Sequence, residues 1–405
     1  MTATFTVRPM FAVLRCASML LLSVWCGCGG EEPSKRASVS PGEWPVLLSV
    51  DGDRNNLGDA HDAALLSDGS LVIAHAGEQE VLWFDQEGRL VRRFGRRGSG
   101  PGEFRDLNSI LATRDDTVLA YDGRLSRLTV LSGSGELVRT HRLPSSVGPA
   151  AKLVGWLEGG RLLFLRETIP MPRARAEGLV TDSSSLVVVD PSSGEHTQDL
   201  GNVPLRNIVV DGSGAALFVM SSPYPSTASI GACGDSIMIA FGDTNVFEWR
   251  LAKDGGARRS VPVSLQRAPT TRAEVDSLLA TSSKGGRTDL TEHAKEALVR
   301  QSGQLRRPLF SRAALDVDGS VWILVDSIEK TGSEWRNVDA NGHWTDLPPI
   351  RLSGRILQMT RSKVLMHSRD DAGLDVFHVL SRLDPWPADH CSRGLSGTVT
   401  ASLIG

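Results

Sequence analysis

The sequence predicts an all-β fold: a six-bladed β-propeller with a short helical insertion between the fourth and fifth blades. Three observations support this prediction. Short apolar runs alternate with glycine turns, one motif recurs 47 residues later, and long helical patterns are rare. Four antiparallel strands about every 40 to 50 residues are typical of a propeller blade. Six blades account for residues 44–383 as one domain.

The first blade shows the repeat most clearly. Residues 64–74 contain two apolar runs around a turn at Asp68, and two further runs complete the blade. A shift of 47 residues places Asp68 on Asp115 and Gly88 on Gly135. Glycine in such turns adopts a positive φ without strain, as tight hairpins require. We therefore expect consecutive antiparallel strands in each repeat.

The later blades are expected where apolar runs and glycine turns recur. They are residues 152–190, 229–263, 313–342 and 355–383. The last of them has only three apolar runs, so one strand is missing. The apolar segment Trp44–Val50 precedes the first blade. Its pairing with the last blade would close the ring and cover two open sheet edges.

Two segments depart from the blade pattern. Residues 270–302 begin with the capping box Thr271–Glu274 and continue with apolar residues at helical spacing. We expect a helical insertion that covers a blade edge, the alternative being a lid or a docking element. Residues 384–405 are expected to form a poorly ordered C-terminal tail.

Tryptophans recur on the predicted strands, at Trp83, Trp249 and Trp335. Large aromatic side chains bury much apolar area when two sheets pack together. We expect these three to pack between neighbouring blades rather than to line a binding site.

The loop Phe94–Phe104 reads Phe-Gly-Arg-Arg-Gly-Ser-Gly-Pro-Gly-Glu-Phe. It resembles the inter-blade loop of NHL-repeat and related six-bladed propellers. Residues 335–348, 364–366 and 375–377 are similar to the last blades of uncharacterised six-bladed propeller lipoproteins of bacteria. The resemblance implies a surface-exposed or periplasmic binding propeller with no assigned chemistry.

The N-terminus is expected to carry an export signal over residues 1–27. Its apolar stretch, Cys16–Trp25, is about half the roughly 20 residues that a membrane-spanning helix needs. Gly27 followed by Cys28 resembles the cleavage site of bacterial lipoproteins, which implies lipid attachment at Cys28 and a tether over residues 28–43. The protein would then be lipid-anchored in a bacterial cell envelope, on the periplasmic or outer-membrane side. The alternative is a cleaved secretory signal with incidental cysteines.

Two cysteines follow the tether, Cys233 and Cys391. In an oxidising compartment they could pair as a disulfide. They could equally be separate buried thiols, because distance along the chain says nothing about disulfide geometry.

Composition and motifs narrow the classes of function. The formal charge of −3 gives no overall basic field for nucleic acid, which we do not expect as a partner. We find no G-x-S-x-G nucleophile motif and no zinc-ligand spacing, and we expect neither a cofactor nor a metal. The acidic stretch Asp51–Asn55 starts like a calcium loop, but Asn56 stands where glycine is needed. We expect a solvated loop there.

Arginines are dense over the first two blades. Topology predicts that Arg96, Arg97, Arg105 and Arg124 lie on one face, because inter-blade loops and the turns between second and third strands share a face. Clustered guanidinium groups suit carboxylate or phosphate partners. The alternative is a solvated face on which they pair with neighbouring acids. Those acids are Glu78, Glu103, Asp106 and Asp122.

The sequence favours a monomeric, membrane-tethered binding propeller whose partner is a protein or an anionic polysaccharide. It contains no catalytic motif, but this does not decide the question of catalysis. The rival hypothesis is a propeller enzyme of lactonase or hydrolase type with a metal at the channel mouth. Such an enzyme would bring several Asp, Glu, Asn or His side chains together at one end of the channel.

Overall fold

The computed structural model describes most of the chain between residues 44 and 402. The described residues are 44–60, 62–148, 151–166, 178–192, 195–211, 218–221, 227–253, 257–265, 273, 276–277, 307–326, 332–383 and 398–402. The expected signal peptide and tether, and almost all of the expected helical insertion, lie outside them. Within the described residues, no helix is long and apolar enough to span a membrane.

The first two blades are regular four-stranded antiparallel sheets. They follow β1 (Val46–Val50) and the short helix α1 (Gly52–Asn55). Blade 1 contains β2 (Asp62–Leu65), β3 (Leu71–His75), β4 (Glu80–Phe84) and β5 (Leu90–Phe94). Blade 2 contains β6 (Leu107–Ala112), β7 (Val118–Asp122), β8 (Arg127–Leu131) and β9 (Leu137–Arg142). Their second strands, β3 and β7, are fully buried because the sheets of both neighbouring blades cover them. Their outer strands, β5 and β9, are largely exposed.

Blade 3 is larger than the sequence predicts. It contains β10 (Ala151–Trp156), β11 (Leu162–Arg166), β12 (Gly178–Asp190), β13 (Glu195–Asp211) and β14 (Phe218–Ser221). Short 3₁₀ turns occur at Ser145–Val147 and Glu158–Gly160. The pair β12 and β13 runs on well past the end of β11, and β14 adds a fifth strand.

Blades 4 and 5 follow the predicted positions. Blade 4 contains β15 (Ala228–Cys233), β16 (Ser236–Phe241), β17 (Val246–Leu251) and β18 (Ala257–Pro262). Blade 5 contains β19 (Arg312–Leu315), β20 (Val321–Asp326) and β21 (Ser333–Val338). In place of a regular fourth strand, isolated bridges join Trp335 to Ile350 and Val338 to Trp344.

The N-terminal strand closes the ring, as predicted. Blade 6 supplies β22 (Arg355–Met359), β23 (Lys363–Arg369) and β24 (Asp375–Ser381). Strand β1 pairs antiparallel with β24, with Val46 opposite Leu380 and Val50 opposite Phe377. One edge strand from the start of the chain therefore completes the last blade, which confirms the expected closure.

The C-terminal region contains a strand that the sequence analysis did not predict. Strand β25 (Thr398–Ser402) pairs antiparallel with the inner strands β15 of blade 4 and β22 of blade 6. Part of the expected tail therefore has regular structure. It forms because the edges of two inner strands offer backbone groups that hydrogen-bond to β25.

The hydrophobic core is divided among the blade interfaces. Six clusters of buried apolar side chains occur in the described residues, one between each pair of neighbouring blades. Trp83 packs between blades 1 and 2, and Trp335 between blades 5 and 6. Trp249 lies against the cluster between blades 4 and 5. The predicted packing role of the tryptophans is confirmed.

Side chains also connect the inner strands of neighbouring blades. An inner strand has backbone N–H groups that pair with no other strand of its own blade, and buried N–H groups need acceptors. Side-chain oxygens of the preceding blade supply them: Leu65 N–H donates to Gln358 Oε1 (2.7 Å), Ile110 N–H to Asp62 Oδ2 (2.8 Å) and Ala313 N–H to Ser229 Oγ (2.8 Å).

Candidate functional site

The two faces of the ring contain different loops and turns. The inter-blade face holds the loops that join one blade's outer strand to the next blade's inner strand, and the turns between second and third strands. The hairpin face holds the turns between first and second strands. Because the chain enters every blade from the inter-blade face, the first residues of the inner strands meet at that end of the channel.

Polar and charged residues occupy this end of the channel. We call them the channel-mouth cluster: Asp62, Asn108, Lys152, Arg312 and Arg355, from the inner strands of blades 1, 2, 3, 5 and 6. Three are cationic and one is a carboxylate. The cluster itself therefore carries a net positive charge on a chain whose formal charge is −3.

A chain of hydrogen bonds positions Arg355. Its Nε donates to His367 Nδ1 (3.2 Å), and His367 Nε2 lies 2.8 Å from Asp375 Oδ1. With Nδ1 accepting from a guanidinium, the proton of a neutral imidazole is assigned to Nε2, which donates to the carboxylate. The other oxygen, Asp375 Oδ2, accepts from Ala60 N–H (2.7 Å), which ties the segment before blade 1 to blade 6.

The channel mouth is an unfavourable environment for the charged guanidinium groups of Arg355 and Arg312. Burial lowers the pKa of Arg355 to about 10, and the charges of Arg312 and Arg369 act in the same direction. Asp62 and Asp375 oppose this shift in part. Burial also lowers the pKa of Arg312. A pKa of about 10 leaves Arg355 charged at neutral pH.

Arg312 differs from Arg355 in its contacts. Within the described part of the chain its guanidinium makes no hydrogen bond and no ion pair. It is partly exposed at the start of β19. Asp62, the carboxylate of the cluster, accepts hydrogen bonds from the backbone N–H groups of Ile110 and Ala63. Arg312 is thus a charged donor group that is open to an anion from solution.

The arrangement differs from the one that a metal-dependent propeller enzyme needs. Among the residues that the structure describes, no group of three or more His, Cys, Asp and Glu side chains is placed to hold a metal ion. His367 and Asp375 are bonded to each other and are buried. The donors at the mouth are mainly guanidinium and ammonium groups, which bind anions and not metal cations.

The arginines singled out from the sequence lie on the inter-blade face, the same face as the channel-mouth cluster. Arg96 pairs with Glu103 (Arg96 Nη2 to Glu103 Oε1, 2.7 Å), and Arg97 donates to the carbonyl of Gly77 (3.0 Å). Hydrogen bonds from Gly100 N–H and Arg96 lower the pKa of Glu103. The glycine-rich loop therefore folds around the Glu103 carboxylate, which neutralises Arg96.

The other two predicted arginines are open. The backbone N–H of Arg105 donates to Asp122 Oδ2 (2.6 Å), and Leu125 N–H donates to Asp122 Oδ1 (2.8 Å). Asp122 is fully buried, so its oxygens serve the backbone. The exposed side chains of Arg105 and Arg124 have no hydrogen-bond or ion-pair partner among the described residues. Of the four expected binding arginines, Arg96 has an ion pair and Arg97 a carbonyl acceptor, whereas the side chains of Arg105 and Arg124 have neither among the described residues.

Two predictions about cysteines are not tested by the described residues, and the predicted loop after β1 is corrected. Cys28 and Cys391 lie outside the described residues, and the side chain of Cys233 in β15 does too, so the lipid anchor and the disulfide stay predictions. The stretch after β1 is not the expected loop. It forms α1, whose first turn is capped by Asp51 accepting from Arg54 N–H (2.9 Å).

A family model described as DUF5128, 6-bladed beta-propeller, matches residues 52–188. These residues contain blades 1 and 2 and the first strands of blade 3, and the sheets of the remaining blades continue the same pattern. The protein is a six-bladed β-propeller. No curated protein matches it.

Three solved structures illustrate what the propeller is similar to. A member of the DUF4221 family from Bacteroides vulgatus is 11% identical, with 84% of this chain and 97% of that chain covered and a TM-score of 0.48. A Bacteroides fragilis protein, provisionally described as exported, is 14% identical, with 80% and 90% covered and a TM-score of 0.45. The virginiamycin B lyase of Staphylococcus aureus is 9% identical, with 84% and 99% covered and a TM-score of 0.41. At such identities these likenesses concern the fold alone.

Proposed function

We propose that this propeller is an extracytoplasmic binding protein whose channel mouth recognises the carboxylate groups of an acidic polysaccharide or protein. The observation that carries the proposal is Arg312, a partly desolvated guanidinium without a partner among the described residues. The exposed arginines Arg105 and Arg124 add positive charge to the same face. No catalysis is part of the proposal.

Binding of a carboxylate would relieve the electrostatic situation at the mouth. Burial and the like charge of Arg312 both act against the charged form of Arg355. An anion in the same low-dielectric environment offsets both effects, and guanidinium groups bind carboxylates with two parallel hydrogen bonds. The exposed arginines would raise the association rate of an acidic partner, an effect that salt screens.

The test compares Arg312→Gln with wild type. Binding is measured by calorimetry against polygalacturonate, against an acidic polypeptide such as polyglutamate, and against neutral dextran. We expect wild type to bind one acidic polymer and not dextran, and Arg312→Gln to bind at least about tenfold more weakly, the equivalent of one charged hydrogen bond. The two acidic polymers distinguish a polysaccharide partner from a protein partner.

A matched control uses Arg89→Gln, which removes an exposed arginine near the opposite face that pairs with Asp85 and Glu87. This variant should bind like wild type, and both variants should keep the thermal unfolding transition of wild type. Equal binding by wild type and Arg312→Gln, or binding that is insensitive to salt, would contradict the proposal.

The proposed location rests on Cys28 as the lipid attachment site. Cys28→Ala should move the protein from the membrane fraction to the soluble fraction, because stable anchoring needs the two lipid signals that this cysteine would carry. Cys26→Ala is the matched control, and it should leave the distribution unchanged. A Cys28→Ala protein that stays in the membrane fraction would show that another segment anchors the chain.

A further inference from the structure

The hairpin face has a pocket of its own, with a volume of about 490 Å³. The turns between the first and second strands of blades 1, 2, 5 and 6 form it, so it lies at the other end of the channel from the channel-mouth cluster. A volume of this order is that of a small-molecule site, where roughly 300 to 1,000 Å³ is common.

Three cationic side chains from two blades line this pocket. Arg114 comes from the first turn of blade 2, and Arg361 and Lys363 come from the first turn of blade 6. Both arginines are exposed, and within the described residues neither makes an ion pair or a hydrogen bond. The Lys363 ammonium lies directly against Gly69, where a Cβ would collide with it. The glycine of the blade 1 turn therefore leaves room for this charge.

The acidic residue of the pocket does not neutralise these cations directly. Asp116 accepts hydrogen bonds from Ser67 N–H (2.7 Å) and Ser67 Oγ (2.5 Å), which joins the turns of blades 1 and 2. Its two oxygens are thus both engaged in holding the pocket wall. The pocket keeps an excess of positive charge, which favours an anionic occupant.

Part of the remaining wall is apolar. Leu65, Leu66, Ala112 and Val317 line the pocket, the first three of them buried at the ends of inner strands. An apolar wall combined with converging cations suits a ligand that has both characters. An inorganic anion would leave the apolar wall in contact with water, whereas a neutral apolar molecule would leave the cations unused.

We propose that this pocket binds a small organic anion, a carboxylate or phosphate joined to an apolar group. The charged end lies among Arg114, Arg361 and Lys363, and the apolar body lies against the leucine side chains. This site is independent of the channel-mouth cluster, because it uses other residues at the opposite end of the ring.

The test uses four probes and calorimetry on the folded protein. The probes are phenyl phosphate, benzoate, phenol and inorganic phosphate. We expect phenyl phosphate or benzoate to bind more tightly than phenol and inorganic phosphate, because only the first two satisfy both parts of the wall. Whichever of the two binds more tightly identifies the anionic group.

The variant Arg114→Gln/Arg361→Gln should weaken binding of the better probe at least tenfold, and each single variant should show an intermediate loss. Arg89→Gln is the matched control: it removes an exposed arginine that pairs with Asp85 and Glu87 and does not line the pocket, so it should leave this binding unchanged. Thermal unfolding verifies that every variant is folded. Failure of both organic anions to bind wild type, or equal binding by the double variant, would overturn the proposal.

Discussion

At the scale of single residues, Asp375 connects three parts of the ring. It is fully buried, accepts from Ala60 N–H, and contacts His367 and Arg369 (Arg369 Nε to Asp375 Oδ1, 3.1 Å). Burial by itself raises the pKa of this carboxyl, but the hydrogen bonds from His367, Ala60 and Arg369 outweigh burial and lower the pKa to about 2. The ionised carboxylate is therefore the form that the fold stabilises.

This pKa predicts a specific dependence of stability on pH. In the unfolded chain the carboxyl titrates near 3.8, so between about pH 4 and pH 2 the unfolded state binds a proton that the folded state does not. The contribution is complete above pH 4 and is lost as the pH falls toward 2. We expect wild type to lose about 2 kcal/mol through this group over that range.

Urea unfolding at pH 5, 4, 3 and 2 measures the effect. Asp375→Asn should be less stable than wild type at pH 5, and the difference should shrink toward pH 2. Asp53→Asn removes an exposed carboxylate of α1 and is the control for the loss of one carboxylate. Parallel pH curves for wild type and Asp375→Asn would show that the Asp375 carboxylate does not stabilise the fold.

At the scale of secondary-structure elements, a buried ion pair joins blade 5 to blade 6. Asp316 follows β19, and Arg382 follows β24. Arg382 Nη1 donates to Asp316 Oδ1 (2.7 Å) and to the carbonyl of Thr360 (3.1 Å), while Trp322 Nε1 donates to Asp316 Oδ2 (2.9 Å). Burial raises the pKa of Asp316, and the charge of Arg382 opposes that shift.

Removal of one partner should be costly. Arg382→Ala leaves a buried carboxylate without its cation, and such changes destabilise proteins by about 3–5 kcal/mol. The double variant Arg382→Met/Asp316→Leu removes both charges and should lose less than Arg382→Ala alone. Chemical unfolding measures both values, with Arg89→Ala as an exposed control expected within about 0.5 kcal/mol of wild type. A double variant less stable than the single one would contradict this account.

The strands could be predicted from sequence where local signals are strong. In blades 1, 2, 4 and 6, apolar runs alternate with glycine turns, and the observed strands follow them. Blade 3 differs because the β12 side of the extended pairing includes the polar run Thr181–Ser184, which no apolar pattern marks. Strand β25 pairs with two distant inner strands, and its few residues carry no signal for either partner.

The channel-mouth cluster was missed for a geometric reason. Its members lie at corresponding places in different blades, but the pairing of the first two strands is shifted in blades 2, 3 and 6. The shifts fall between Leu107 and Ser109, between Leu153 and Gly155, and between Ile356 and Gln358. Each shift changes which residue faces the channel, so constant spacing does not align the cluster. The location of the loop arginines could be predicted because it depends only on the order of the strands. These arginines do lie on one face.

At the scale of the whole molecule, strand β1 closes the ring by completing blade 6. Leu48 of β1 is 8% exposed and packs in the cluster between blades 6 and 1, whereas its neighbour Leu47 is 54% exposed. Alternate side chains of a strand point to opposite faces, so this pair distinguishes docking of β1 from a general effect of substitution.

Leu48→Asp should destabilise the propeller by at least about 3 kcal/mol, because it buries a charge and removes apolar contacts. Leu47→Asp should stay within about 0.5 kcal/mol of wild type. Deletion of residues 44–50 should leave β24 as an open edge and cause aggregation or loss of a cooperative transition. Thermal unfolding and light scattering measure these outcomes. Equal effects of the two aspartates, or a stable deletion variant, would refute closure by β1.

The same closure makes the protein responsive to mechanical force. Strand β1 is the first strand of the described residues, and backbone hydrogen bonds to β24 hold it in the ring. Tension on the chain ahead of Trp44 therefore acts on these bonds before it acts on any blade's inner strands. A pull along the strand loads the bonds together in shear, whereas a pull across it opens them one after another from Val46. In either case we expect the ring to open first where β1 pairs with β24.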